Sequence, residues 1–159
     1  MVHIVSISPE HNREIARIIR TSLQEFDIDL QGTVFVDPYL DDMYSHFTVP
    51  SKAYFIAVED GKVLGGSGIA PLDDTDTEVC ELQRMFLAKE ARGKGIGQQL
   101  MKACLSKAAA MGFKQCYLET FEEMQQAIKL YERSGFTLIN HPMGNTGHFA
   151  CKTWMVRGV

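Results

Sequence analysis

The 159 residues predict a single domain spanning residues 1–159, with enough chain to bury a substantial core. The formal net charge of −4 argues against a nucleic-acid-binding domain, which would normally be basic. No apolar stretch is long enough to span a membrane, and the N-terminus lacks a signal-peptide pattern, so we expect a cytoplasmic protein without nucleic-acid or membrane partners. The four cysteines are scattered without C-x-x-C spacing, and we expect buried, reduced thiols.

The first half of the chain predicts an opening strand, two helices and a β-hairpin. Ser8-Pro9 and Asp37-Pro38 each combine a residue typical of a helix N-cap with a proline suited to the first helical position. Asp60-Gly61 lies between two apolar stretches and is a strong hairpin signal. Three glycines within residues 65–68 predict a bulge or a close backbone approach. The predicted elements are a strand at 2–7, a helix after Ser8, a loop at 26–37, a helix after Asp37, and hairpin strands at 53–59 and 62–69.

The second half predicts strands that alternate with helices. An apolar stretch at 82–88 has strand character, and apolar residues spaced by three or four from Ile96 onward predict a helix that ends near Gly112. The remaining predicted elements are a strand at 116–120, a helix at 122–134, and strands at 136–140 and 149–156. Antiparallel strands followed by a strand–helix–strand half predict an α+β fold with a mixed central sheet.

Three glycines at alternate positions separate the central strand from the helix that follows it. Gly93, Gly95 and Gly97 place backbone N–H groups at a helix N-terminus, where the partial positive charge favours a phosphate. Arg92 and Lys94 add cationic side chains at the same point. The spacing differs from the Walker A loop, which requires Gly-Lys followed by Ser or Thr, and from the dinucleotide-binding fingerprint. The sequence therefore predicts a different kind of phosphate-binding loop.

Two motifs resemble the GCN5-related N-acetyltransferase (GNAT) superfamily. Arg92-Gly93-Lys94-Gly95-Ile96-Gly97 is similar to the Arg-Gly-x-Gly-Ile-Gly loop that binds the pyrophosphate of coenzyme A in this family. Residues 118–120 and 127–136 are similar to the later acetyl-CoA motif of the same family. The resemblance covers roughly residues 78–140. It implies an α+β, GNAT-like fold with a mixed central β-sheet of about six or seven strands flanked by about four helices.

The resemblance also implies the reaction, which is transfer of an acetyl group from acetyl-CoA to a primary amine of a small molecule or peptide by direct attack in a ternary complex. In this family the backbone of the central strand binds the pantetheine arm, which here implies Phe86, Leu87 and Ala88. The amides that would bind the pyrophosphate belong to Arg92, Gly93, Lys94, Gly95, Ile96 and Gly97. Met124 stands where many members carry an asparagine that contacts pantetheine, so we expect that contact to be lost or replaced.

The reaction requires a base, because an alkylamine with a pKa of about 10.4 is neutral in only about one molecule in 2,500 at pH 7. Glu81 is the predicted base, by comparison with family members that carry a glutamate at this point of the strand; the alternative is an exposed strand-end carboxylate. Glu119 on the adjacent strand is a second candidate. Tyr131 matches the tyrosine that family members use as general acid beside the cofactor thiol, and the alternative is a tyrosine that only packs in the core.

The sequence leaves the acceptor site open. The resemblance implies that it lies between residues 26–47 and 140–148, with Glu119, Tyr39 and His148 as candidate contacts. The other aromatic and acidic candidates are Phe26, Asp27, Asp29, Phe35, Asp37 and Tyr44. The five histidines show no metal spacing, so we expect no metal, and a homodimer is left open. Two other interpretations remain, a non-catalytic acyl-CoA-binding sensor and a structural or interaction domain.

Overall fold

In the computed structural model, which describes residues 1–26 and 36–159, seven strands form one sheet. The strands are β1 (His3–Ser6), β2 (Ala53–Glu59), β3 (Lys62–Pro71), β4 (Val79–Leu87), β5 (Gln115–Thr120), β6 (Thr137–Ile139) and β7 (Thr153–Gly158). Their order across the sheet is β1-β2-β3-β4-β5-β7-β6. The β4–β5 pair is parallel and the other described pairs are antiparallel, which confirms the predicted mixed sheet.

Four α-helices are described beside the sheet: α1 (Asn12–Glu25), α2 (Met43–Phe47), α3 (Ile96–Ala110) and α4 (Gln125–Arg133). The first two begin later than the sequence predicts, because the segments after Ser8 and Asp37 form 3₁₀ turns before the α-helix starts. Asp42 caps α2, since its side chain accepts a hydrogen bond from the Ser45 amide. No described helix is both long and apolar enough to cross a membrane. The predicted loop at 26–37 lies almost wholly outside the described residues, and so do the acceptor candidates Asp27, Asp29 and Phe35.

The hairpin between β2 and β3 turns where the sequence predicts it. Asp60 and Gly61 have φ angles of 50° and 77°, and a type I′ turn requires positive values at both positions. Within β3, a Cβ on Gly66 would lie 2.4 Å from Cε1 of the Tyr54 ring. The prediction of a close approach is therefore confirmed, because the Tyr54 ring packs directly on the glycine backbone.

The central strand β4 carries a bulge opposite these glycines. The register shift between Gly66 and Gly68 leaves two β4 residues, Arg84 and Met85, opposite a single residue of β3. Arg84 has a φ of 54°, a left-handed conformation that is uncommon for a residue with a Cβ. The Arg84 carbonyl accepts a hydrogen bond of 2.6 Å from the Tyr54 hydroxyl, which holds the bulge in place.

The two central strands separate at Glu81. β4 pairs with β5 from Val79 to Glu81, whose partner is Tyr117, although β4 continues to Leu87. Beyond Glu81, the backbone N–H and C=O groups of β4 on its β5 side therefore do not pair with β5. Polar backbone groups need hydrogen-bond partners. An opening between the strands begins at this point.

Side-chain alternation gives β4 and β5 two different faces. Cys80 and Leu82 of β4 and Cys116 and Leu118 of β5 are buried in one apolar cluster with Tyr131 of α4. The intervening residues project from the opposite face: Glu81, Gln83, Tyr117 and Glu119. The four cysteines are buried and free, as the sequence predicts.

The closing strand β7 begins at Thr153 rather than at the predicted residue 149. Residues 148–151 form a turn instead, closed by a 3.0 Å hydrogen bond from the Cys151 amide to the His148 carbonyl. The turn leaves the side chain of Phe149 68% exposed. It also fixes the position of His148 relative to the sheet.

Candidate active site

A cleft of about 840 Å³ opens beside the end of β4 and the start of α3. Its walls come from the end of α1, the end of β4, the glycine loop and α4. Volumes of this size are typical of sites for small organic ligands. Seven of the residues predicted to bind the cofactor line the cleft: Phe86, Leu87, Arg92, Gly93, Gly95, Gly97 and Met124.

The three glycines of the loop are needed for two different reasons. Gly93 and Gly95 have φ angles of 74° and 77°, and a Cβ built on either residue would meet no atom within 4 Å. Their backbone conformation therefore requires glycine, while the space in front of them stays open. A Cβ on Gly97 would lie 2.9 Å from Leu130 Cδ2, so Gly97 is needed for the close packing of α3 against α4.

The N-terminus of α3 faces this open space. The helix begins at Ile96 with Gly95 as its N-cap, and the first amides of a helix have no intrahelical carbonyl to bind. The exposed amides, the positive end of the helix dipole and the open glycine surface fit a pyrophosphate group. The Ile96 side chain is buried in the core, and Lys94 lines a second, smaller pocket. The fit therefore involves the backbone of these two residues.

Arg92 is held by other parts of the protein. Its guanidinium donates to the Leu87 carbonyl at 3.2 Å, to Glu25 Oε1 at 2.9 Å and to Ser22 Oγ at 3.3 Å. Phe26 lies beneath the same group, with its ring centroid 5.9 Å from Arg92 Cζ. Arg92 thus joins the end of α1 to the end of β4. Glu25 is not among the predicted site residues, although a carboxylate in the last turn of a helix is unfavourable and indicates a specific partner.

Besides Lys94 and Ile96, two more of the residues predicted to bind the cofactor, Ala88 and Tyr131, are absent from the described lining of the cleft. Ala88 is buried, and its amide donates to the Leu64 carbonyl at 2.8 Å. Tyr131 is buried in the apolar cluster behind β4 and β5, with its ring centroid 6.2 Å from that of Phe136. Burial raises the pKa of Tyr131 above its ordinary value. Both assignments stay predictions.

Glu81 is a buried carboxylate, with 4% of its surface exposed, so the alternative of an exposed strand-end group is wrong. Burial raises its pKa to about 7 and the charge of Glu119 adds to this effect, while the hydrogen bond from Gln83 and the charges of His148 and Arg84 oppose it. The Gln83 amide donates to Glu81 Oε1 at 2.6 Å. A carboxylate with such a pKa has the properties of a general base at neutral pH.

Glu81, Glu119 and His148 converge on one point of the sheet surface. One side-chain atom of each lies within 4.8 Å of the others. Both carboxylate oxygens of Glu119 accept hydroxyl hydrogen bonds, from Tyr117 at 2.7 Å and from Thr146. The loop that carries Thr146 and His148 is therefore fastened to β5. Two carboxylates and an imidazole are also ligand types for a divalent cation, so the expected absence of a metal stays a prediction.

Asp37 connects the β4 bulge to the loop of His148. Arg84 Nη2 donates to Asp37 Oδ2 at 2.9 Å, and His148 Nε2 lies 3.1 Å from both Asp37 oxygens. Burial alone would raise the pKa of Asp37, but these two partners hold it below its usual value. Burial also favours neutral His148, but the hydrogen bond and charge of Asp37 and the charges of Glu81 and Glu119 raise its pKa. Arg84 is not among the predicted site residues, although an arginine within a buried strand indicates a specific partner.

Tyr39 is the predicted acceptor contact that lies outside this cluster. Its side chain is 53% exposed and stacks on His46, with 4.6 Å between the ring centroids. Burial and the charges of Lys52 and Arg84 lower the pKa of His46 to about 4, so its ring is neutral at pH 7. A role for Tyr39 in acceptor binding stays a prediction.

Comparison with known proteins defines the class to which this fold and site belong. Residues 16–136 match the model of the acetyltransferase (GNAT) family. Over 149 residues the chain is 40% identical to "Uncharacterized N-acetyltransferase YjgM" of Escherichia coli strain K12, covering 93% of this chain and 89% of that relative. The chain therefore belongs to the GNAT family and is an acetyl-CoA-dependent N-acetyltransferase.

Solved structures show the same fold. The structure resembles a GNAT-family acetyltransferase from Staphylococcus aureus Mu50, with a TM-score of 0.83, 18% identity and 99% of each chain covered. It also resembles yncA from Salmonella typhimurium, solved with its cofactor acetyl-CoA, with a TM-score of 0.79, 16% identity, and 99% of this chain and 94% of that chain covered. The family and the fold that the two motifs imply are confirmed.

Proposed function

We propose that the protein transfers the acetyl group of acetyl-CoA to a primary amine of a small molecule or peptide by direct attack in a ternary complex. The observation that carries this proposal is the buried carboxylate of Glu81, located where β4 and β5 separate. A buried titratable group with a strongly shifted pKa, on the strand whose other end lines a ligand-sized cleft, is typical of an active site. The amides of residues 92–97 hold the pyrophosphate in this proposal.

The unpaired side of β4 provides a path from the glycine loop to Glu81. Residues 81–87 of an extended strand span about 20 Å, because each residue adds about 3.3 Å. Backbone groups along this edge are available to the amides of the pantetheine arm, which supports the assignment of Phe86 and Leu87. Met124 lines the same cleft, so a thioether provides an apolar contact where many family members have an asparagine. The thioester, when bound, supplies the acyl carbon that the amine attacks.

Glu81 supplies the base in this proposal. Neutralising an alkylammonium ion at pH 7 costs about 4.6 kcal/mol, so a base of higher proton affinity lowers the barrier. Burial raises the pKa of Glu81 from 4.5 to about 7, which is equivalent to about 3 kcal/mol of additional proton affinity. Water is excluded from the carboxylate by the same burial.

Tyr131 acts on the opposite side of the sheet. Proton transfer from a phenol of pKa about 10 to a thiolate of pKa about 8.5 is unfavourable by about 2 kcal/mol, and burial raises the pKa of Tyr131 further. Tyr131 therefore serves as a hydrogen-bond donor that stabilises the developing thiolate, rather than as a source of a fully transferred proton. In this proposal the thioester lies in the opening between β4 and β5, between the face of the sheet that carries Tyr131 and the face that carries Glu81.

The proposal is tested by following thiol release from acetyl-CoA with a panel of alkylamines, polyamines, amino acids and peptides, with mass spectrometry to identify the acetylated atom. We expect at least one primary amine to be acetylated by the wild type. Glu81→Gln should lose most of this activity, and Glu122→Gln, which removes an exposed carboxylate away from the cleft lining, should keep it. Acetyl-CoA binding without acetylation of any amine class would contradict the proposal.

A further inference from the structure

Glu81 and Glu119, the two glutamates near the point where β4 and β5 separate, differ in the hydrogen bonds that they accept. Glu119 accepts hydrogen bonds at both oxygens, from the hydroxyls of Tyr117 and Thr146. Glu81 accepts one at Oε1 from Gln83, and within residues 1–26 and 36–159 its Oε2 has no donor. A carboxylate that is more than nine-tenths buried thus has one oxygen without a hydrogen-bond donor in the described part of the chain. Such an oxygen is free to receive a proton from a ligand.

The charges around this point leave Glu119 without a direct ionic partner in the described part of the chain. Arg84 Nη2 and His148 Nε2 both lie within 3.1 Å of Asp37, so an arginine and a histidine share that one carboxylate. The partners of Glu119 are neutral hydroxyls. A cation that enters beside Glu119 therefore gains an ion pair that the described part of the protein does not itself supply.

Building on the proposed function, we propose that Glu119 receives the acceptor as an alkylammonium ion and holds its nitrogen against Glu81. One N–H bond of the ammonium then breaks, the proton moves to Glu81 Oε2, and the electron pair stays on nitrogen for the attack on the thioester. Glu119 is the positioning carboxylate and Glu81 the base. The acceptor class that this pair selects is the strongly basic aliphatic primary amine, because an arylamine is uncharged at neutral pH.

The charges around Glu81 also favour its ionised form when the ammonium ion arrives. Gln83 and Arg84 face Glu81 from β4, Glu119 faces it from β5, and His148 faces it from the loop before β7. The negative charge of Glu119 raises the proton affinity of Glu81, whereas an arriving ammonium favours the ionised carboxylate. The ammonium thus brings Glu81 into the form that accepts its proton.

The test follows the carboxyl groups directly and requires no turnover. Protein labelled with ¹³C at the glutamate carboxyl groups is saturated with coenzyme A and titrated with n-butylammonium chloride, with tetramethylammonium chloride as the ionic-strength control. Variants Glu81→Gln and Glu119→Gln assign the two signals. We expect both signals to move together in the wild type and in Glu122→Gln. In Glu119→Gln the affinity for n-butylammonium, measured from the Glu81 carboxyl signal, should fall about tenfold or more.

Two results would overturn the inference: a wild type in which neither carboxyl signal responds to n-butylammonium, or a Glu119→Gln variant that binds it as tightly as the wild type. If Glu119→Gln does not fold by circular dichroism, Glu119→Asp keeps the charge and should keep binding, whereas loss of binding there contradicts the claim. Thiol release from acetyl-CoA separates this inference from the proposed function. A wild type that acetylates amines but fails the carboxyl titration refutes the binding of the ammonium between Glu119 and Glu81 and leaves acetyl transfer itself standing.

A kinetic comparison provides a second readout. Glu119→Gln should raise KM for a strongly basic alkylamine about tenfold and leave KM for acetyl-CoA unchanged. With trifluoroethylamine, which is weakly basic and enters uncharged, the same substitution should change kcat/KM less than about threefold. An equal loss with both amines would show that Glu119 is needed for the shape of the site rather than for its charge.

Discussion

Glu81 of β4 and Tyr117 of β5 form the last pair in the register of the two parallel central strands, and beyond them the strands separate. This one pair places a buried carboxylate at the start of the opening, with the glycine loop beyond the other end of β4. The pairing also aligns Glu119 on the same face as Glu81, because Tyr117 and Glu119 are two residues apart. The geometry of the proposed chemistry therefore follows from strand register.

Glu81→Gln should lower kcat/KM for the amine by about 10²-fold to 10⁴-fold and leave acetyl-CoA affinity unchanged, because it removes the proton acceptor and not the cofactor site. Burial raises the pKa of Glu81 to about 7, so wild-type kcat/KM should fall as the pH drops below about 7 and the carboxylate becomes protonated. Steady-state kinetics measured between about pH 5.5 and about pH 9, in steps of about half a pH unit, check both expectations. A variant that keeps the acidic limb of the profile would show that another group produces it.

Asp37→Asn should lower the pKa of His148, because Asp37 provides the hydrogen bond and the nearest negative charge that raise it against the effect of burial. A histidine with a raised folded-state pKa contributes stability that is fully present below its unfolded pKa and is lost as the pH rises through the folded pKa. Between acidic pH and pH 8, the free energy of unfolding of the wild type should therefore fall by more than that of the Asp37→Asn variant. Histidine NMR titrations and urea unfolding at the two pH values measure this. Equal pKa values of His148 in both proteins would contradict the assignment.

Gly95→Ala should destabilise the protein by about 1–2 kcal/mol and also weaken acetyl-CoA binding, because Gly95 has a φ of 77° beside the proposed pyrophosphate site. Gly112→Ala is the matched control. Gly112 has a φ of 90° and open space around its Cβ position, but it lies beyond the other end of the 15-residue helix α3. Thermal unfolding should show similar losses in both variants, whereas calorimetry should show weakened binding only in Gly95→Ala. Equal binding losses would remove the link between the loop and the cofactor.

Tyr131→Phe should lower kcat by about 10-fold to 100-fold with little change in KM for acetyl-CoA, because the lost hydroxyl acts on charge that develops during the reaction. The ring itself packs against Phe136 and is retained in the variant, so the fold should be preserved. Pre-steady-state thiol release measures the chemical step. An unchanged rate would mean that Tyr131 only packs in the core.

The sequence predicts the fold and the glycine loop between β4 and α3 well because both depend on local signals. The hairpin at Asp60-Gly61 and the loop from Arg92 to Gly97 are encoded by backbone requirements that only certain residues meet. Element boundaries are less well predicted. The segments after Ser8 and Asp37 begin as 3₁₀ turns, and no local signal separates such a turn from the first turn of an α-helix.

The cluster around Glu81 is predicted poorly because it is assembled from distant parts of the chain. The ion pair of Arg84 with Asp37 joins residues that are 47 positions apart, and the contact of Asp37 with His148 joins residues 111 positions apart. The sequence identifies Glu119 and His148 as candidates but cannot show that they meet at Glu81. The bulge that turns Arg84 toward Asp37 is likewise a consequence of pairing with β3 rather than of the local sequence.

The central claim is that the cleft between the end of β4 and the N-terminus of α3 binds the acetyl donor. Calorimetric titration with acetyl-CoA tests this claim most directly. The wild type and Gly112→Glu, whose substitution lies at the far end of α3, should bind acetyl-CoA with a Kd of roughly micromolar order. Gly95→Glu and Arg92→Ala should bind it far more weakly, because the first places a carboxylate at the pyrophosphate site and the second releases the loop from α1. Unchanged binding by folded Gly95→Glu protein would contradict the account.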